Sequence, residues 1–199
     1  KTYDVSFPVK DELVRYIPTD DDIRLLLDNA SDDMKICILL SALGTLRRGE
    51  VAAVKYKDVN RQNYSIYVHA DRVKDKDNKW IYKPPKTKDS IRTVFFPKFV
   101  IDMIPDGAPD DFVYPKTPDN ITKNFVRLRD SLGLKCRFHD LRIYAASIRA
   151  YIGVPLKEVQ AVGGWSSRKT LEEIYDQLLR GRDSKYNQMT IQYFDNILK

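Results

Sequence analysis

The period of the hydrophobic pattern changes twice along this chain, and no other feature of the sequence constrains the fold as much. Between Thr19 and Val54 apolar residues recur at helical spacing: Ile23, Leu26 and Leu27, then Met34, Ile36, Ile38, Leu39 and Leu40, then Val51 and Val54. Thr19 offers an N-cap, with Asp22 placed three residues on in capping-box style, and Ser31 or Asp32 starts the second helix. The period then drops to two, as Tyr64, Ile66, Val68 and Ala70 alternate with Ser65, Tyr67 and His69. A turn rich in lysine and aspartate, Lys74 to Asn78, leads to Trp80-Ile81-Tyr82, where Pro84-Pro85 marks an edge or a bend. A further strand, Arg92 to Phe96, stops at Pro97. Helical spacing returns over 98–104, 118–132, 139–151, 155–162, 168–179 and 185–198. Strands that do not alternate with helices argue for an α+β rather than a parallel α/β arrangement. The expectation is a mainly α, α+β domain over residues 19–199, with a small three-stranded antiparallel sheet, preceded by an extended lead-in at 1–18.

Composition narrows the class. With 43% hydrophobic and 31% charged residues, the 199-residue chain reads as an ordinary globular protein. No apolar run approaches the roughly 18 residues of a membrane span, and the start, Lys1-Thr2-Tyr3-Asp4, has neither a signal pattern nor an initiator Met. We therefore expect a segment of a longer protein. Cys37 and Cys136 have no second thiol nearby, and two histidines cannot build a zinc-type spacing. Reduced thiols in a cytosolic protein are expected, with a disulfide as the alternative. The net charge of +6 suits a polyanionic partner. Bases concentrate at Arg72, Lys74, Lys76, Lys79, Lys83, Lys86 and Lys88, which describes a solvated basic face equally well.

Five segments carry candidate chemistry. In Thr45-Leu46-Arg47-Arg48-Gly49-Glu50-Val51, the three-residue spacing sets Glu50 beside Arg47 on a helix face, either to steady its guanidinium or as a surface ion pair. Lys86-Thr87-Lys88-Asp89-Ser90-Ile91-Arg92 precedes the strand that ends at Pro97 and, by charge alone, is a hairpin turn. His139-Asp140-Leu141-Arg142, at a helix start, brings imidazole and guanidinium side by side, unless His139 is a capped core residue. Trp165, in Val162-Gly163-Gly164-Trp165-Ser166-Ser167, supplies a neutral N–H donor that cannot exchange a proton, or a piece of core. Tyr175 lies in Thr170-Leu171-Glu172-Glu173-Ile174-Tyr175, one short helix after Trp165; Tyr186 and Tyr193 compete with it but lack the preceding pattern.

In this order the segments resemble the conserved boxes of the tyrosine recombinase, or phage integrase, family, and the resemblance spans Arg47 to Tyr175. The family's His-Thr pair after the His-x-x-Arg box, matched by His139 and Arg142, is replaced here by Ile143-Tyr144, and Trp165 stands where many members have histidine and the Cre type has tryptophan. The resemblance implies a catalytic set of Arg47, Lys86 (with Lys88 as rival), His139, Arg142, Trp165 and Tyr175. It implies no cofactor and no metal. Double-stranded DNA is the implied substrate, cut and rejoined through a 3′-phosphotyrosine ester. A tyrosine ester conserves the energy of the broken phosphodiester, and two planar guanidiniums suit the charge that develops on the phosphate oxygens. The resemblance further implies an integrase of a phage or mobile element, in the bacterial cytoplasm on DNA. It implies a DNA-binding domain before residue 1, a monomer alone and a tetramer on DNA. The final helix, with Tyr193, Phe194, Ile197 and Leu198, then docks on a neighbour or folds back on its own core. A type IB topoisomerase and a DNA-binding module without catalysis are the alternatives.

Overall fold

A computed structural model describes residues 16–85, 87, 90–165, 167, 169–179 and 192. The lead-in up to residue 15, Lys86, Lys88 and, apart from residue 192, the expected final helix lie outside the described residues.

Helices α1 (Asp20–Asn29), α2 (Asp32–Ala42) and α3 (Arg48–Ala53) open the fold. The box at the start of α1 forms as expected: Thr19 Oγ1 accepts from the Asp22 amide at 3.1 Å, and Asp22 Oδ2 accepts from the Thr19 amide at 2.8 Å. Because Ile36, Cys37, Ile38, Leu39 and Leu40 leave α2 no polar face beyond its first turn, it is buried on all sides from Ile36 to Ala42. Around it pack α1, α3, α4 (Lys98–Asp102), α5 (Pro118–Ser131) and α6 (Asp140–Tyr151). Cys37 and Cys136 are both free and buried, which removes the disulfide alternative.

The antiparallel character and the three-stranded sheet are as expected, but its membership is not. Strands β1 (Val59–Asn60), β2 (Ser65–Val68) and β5 (Arg92–Phe95) form it in the order β1-β2-β5. Trp80–Lys83 is β4, and it pairs instead with β3 (Asp71–Lys74) in a separate two-stranded hairpin turned at Asp75 to Asn78. Strand β3 is too charged for alternation to reveal; its regularity comes from pairing with β4 and from resting on α3.

Helices α7 (Leu156–Gly163) and α8 (Lys169–Leu179) complete the described fold. They pack on α6 around a second small core of Ile143, Ala146, Val159, Leu171 and Ile174. Helix α6 thus separates two cores: Leu141 belongs to the large one, and Ile143 and Ala146 to the small one. None of the described helices is long and apolar enough to cross a membrane.

Candidate active site

The C-terminal end of α7 organises the site. A helix ends with carbonyls that have no intrahelical partner and that carry the negative end of the dipole. Here three successive carbonyls each accept from an arginine brought from elsewhere in the chain. Val162 O accepts from Arg92 Nε at 2.7 Å, Gly163 O from Arg142 Nη2 at 3.1 Å, and Gly164 O from Arg47 Nη2 at 2.6 Å. Gly164 closes the helix in the left-handed conformation (φ 61°), for which glycine is suited.

One carboxylate ties the same three arginines together. Glu50 is almost fully buried (2% exposed). Arg92 forks onto it at 3.1 and 3.0 Å, Arg47 Nη1 reaches it at 2.7 Å, and Arg142 Nη1 stands 3.8 Å away. The Arg47 amide also donates to Glu50, which fixes the start of α3. Burial alone raises the Glu50 pKa, but the hydrogen bonds and charge of Arg92, together with Arg47, hold it below the ordinary carboxylate value.

Arg47 and Arg142 therefore converge, as the sequence pattern predicts. Arg47 remains about a third exposed, whereas Arg142 is buried. Burial, with the Arg47 charge beside it, pulls the Arg142 guanidinium down to about 9, still above physiological pH, so it stays positive. Its Nη1 donates to the Thr45 carbonyl, and its buried Nε–H has no hydrogen-bond partner among the described residues. A guanidinium has five N–H donors; the bonds to Thr45 and Gly163 engage two of them.

Trp165 lies with its ring 4.5 Å from the Arg142 guanidinium carbon, a cation–π contact that covers one face of the cation. The backbone leaves space for this ring only because residue 163 is glycine: a Cβ there would stand inside it. Trp165 also packs on the second core, so it serves the core and the site at once.

His139 is the N-cap residue of α6 and is solvent-exposed, which excludes the core-histidine reading. Its backbone carbonyl accepts from the Arg142 amide at 3.1 Å, so the two residues share the first turn of the helix. Crowding by the surrounding protein lowers its pKa, the Arg142 charge lowers it further, and Asp140 opposes both. The imidazole is therefore neutral at physiological pH and able to accept a proton. Tyr175, on α8, donates its phenolic hydrogen to the Val154 carbonyl at 2.6 Å, in the loop between α6 and α7. Lys86 lies outside the described residues.

Arg92 belongs to the site although the five sequence segments assign it no role. A signal existed: on β5 it is in phase with inward-facing Val94 and Phe96, and an arginine at an inward strand position needs a buried partner.

A small antiparallel sheet among helices, with arginines converging at the end of α7, His139 at the head of α6 and Tyr175 on α8, defines an α+β domain with a cationic cluster at its centre. The chain belongs to the phage integrase family, whose sequence profile matches residues 18–182. A XerC-like tyrosine recombinase of Caldanaerobacter subterraneus subsp. tengcongensis is 25% identical over 81% of this chain and 50% of its own length. The chain thus spans about half of that curated relative. Among solved structures, the Tn1549 transposon integrase in complex with circular intermediate DNA superimposes with a TM-score of 0.70 at 18% identity, covering 80% of this chain and 62% of that one. XerA recombinase gives a TM-score of 0.69 at 16% identity, over 91% of this chain and 66% of the other. These likenesses establish the tyrosine recombinase catalytic fold.

Proposed function

We propose that this chain is the catalytic domain of a site-specific DNA recombinase, an integrase of a phage or mobile element, which cleaves and rejoins double-stranded DNA. The observation that carries the reading is the convergence of Arg47 and Arg142 on adjacent carbonyls of α7 and on the single carboxylate of Glu50. Two guanidiniums so placed, each with donors to spare, suit one phosphodiester and the charge that grows on its non-bridging oxygens.

In the proposed reaction the Tyr175 oxygen attacks phosphorus and the bond to the 5′ oxygen breaks, leaving a 3′-phosphotyrosine and a 5′-hydroxyl. The phenolic proton passes to His139, whose lowered pKa keeps it neutral and receptive. Lys86 donates the proton taken up by the departing oxygen, a task suited to an ammonium and not to a guanidinium. Trp165 holds Arg142 from behind and offers its own N–H to the phosphate. Attack by a 5′-hydroxyl from a second duplex reverses the steps. Four protomers on two duplexes, monomeric before binding, are the proposed assembly.

The test uses a duplex nicked a few nucleotides 3′ of the scissile phosphate, so that the short fragment bearing the new 5′-hydroxyl diffuses away after cleavage and the covalent adduct accumulates. Wild type is expected to form the adduct and Tyr175→Phe to form none. An undiminished adduct with Tyr175→Phe would show that another residue is the nucleophile.

A further inference from the structure

Arg149 follows Arg142 by two turns of α6, so both guanidiniums leave the same face of the helix. That face meets the connection between α2 and α3. Arg142 grips the Thr45 carbonyl; Arg149 Nη2 donates to the Leu43 carbonyl at 2.7 Å, and its Nη1 to Ala145 O at 3.0 Å. Burial lowers the Arg149 pKa, and no carboxylate among the described residues opposes that effect. A partly buried cation without a counter-charge is costly unless hydrogen bonds hold it. Here the compensation comes from the negative end of α2, which has no basic residue in its own last turn.

The connection held in this way leads directly into Arg47. Thr45 has a left-handed backbone (φ 61°), a strained conformation for a residue with a Cβ, which persists only where its surroundings enforce it. They do so from every side. Thr45 Oγ1 donates to Val162 O at 3.1 Å, the Phe96 ring presses on Gly44 where a side chain would begin, and Ser41 Oγ donates to Leu46 O at 3.0 Å. The geometry points to Arg149 as a positioning residue: by clamping the Leu43 carbonyl it fixes the strained turn at Thr45 and hence the place of the Arg47 guanidinium beside Arg142. The inference rests on the recombinase reading, in which Arg47 grips the scissile phosphate.

Arg149→Leu keeps the aliphatic packing and removes the fork, whereas Arg149→Lys restores one donor. The probe is a nicked duplex carrying the sequence that the protein selects from random-sequence DNA, with either a phosphodiester or a methylphosphonate at the scissile position. The methylphosphonate lacks the anionic oxygen and needs less from a guanidinium. Arg149→Leu is expected to slow adduct formation on the phosphodiester roughly 10- to 100-fold, the scale of a misplaced reacting contact. DNA binding and the thermal midpoint stay near wild type, Arg149→Lys recovers part of the rate, and the gap to wild type narrows on the methylphosphonate. A wild-type rate for Arg149→Leu overturns the inference, as does an equal loss on both substrates with a lowered thermal midpoint. If wild type forms no adduct on any selected duplex, the recombinase reading falls, and the role of Arg149 with it.

Discussion

His139 illustrates how far a single side chain can be understood from its neighbours. Its place at the head of α6, one turn before Arg142, is legible in the His-Asp-Leu-Arg spacing. Its protonation is not, because that depends on the crowding around the ring and on charges that only the fold assembles. With its pKa below the ordinary histidine value, the proposed acceptor stays deprotonated to lower pH than a free imidazole. The acid limb of the adduct-forming rate is therefore expected below pH 6.5. A pH–rate profile with its acid midpoint at or above that value would count against His139 as the acceptor. Stability follows the same sign. The unfolded chain binds the proton more readily, so this contribution is complete above the unfolded pKa and declines as pH falls toward the folded one.

At the scale of elements, the end of α7 has the most consequences. The Gly163-Gly164 pair is legible as a helix stop, and its second glycine does cap the helix. What the local pattern does not reveal is that the carbonyls it presents become the dock for three arginines, because each of those partners is more than twenty residues away in sequence or, for Arg142, on another helix. Gly163 has a second duty in admitting the Trp165 ring. Gly163→Ala is expected to push that ring off Arg142 and to reduce adduct formation by about 10-fold or more, as small displacements at a reacting centre do. The displacement can be read from the fluorescence of Trp165 in a Trp80→Phe background, where an unchanged spectrum would refute it. Helix existence is legible for all of α1 to α8 because their apolar residues keep a helical period, in α3 through Val51 and Val54. The pairing of β4 was not: the sequence marks Trp80-Ile81-Tyr82 as extended, but its partner β3, Asp71-Arg72-Val73-Lys74, carries no alternation.

For the molecule as a whole, Glu50 joins regions that the chain keeps far apart: the start of α3, the strand β5 and the helix α6. Its pairing with Arg47 is legible as an i, i+3 contact, but the fork from Arg92 joins β5 to α3 across 42 residues of sequence, which no local pattern reveals. Glu50→Gln leaves Arg92 buried without its counter-charge, a change that costs about 3–5 kcal/mol in comparable pairs. Chemical denaturation is expected to register that loss, and a change under about 1 kcal/mol would mean that the pair is not what holds these regions together. Because the Glu50 pKa is depressed on folding, its stabilisation is present above the unfolded carboxylate value and disappears as pH falls through the folded one.

The same carboxylate leaves the charge count unbalanced. Three guanidiniums stand 2.7, 3.0 and 3.8 Å from one negative group, so among these four side chains positive charges outnumber the negative one. Sulfate or inorganic phosphate in a purification buffer is drawn to such a surplus and competes with the natural ligand for it. Rates measured in those buffers then report the eviction of a small inorganic tenant as well as the reaction, and chloride is the better choice of counterion at the bench.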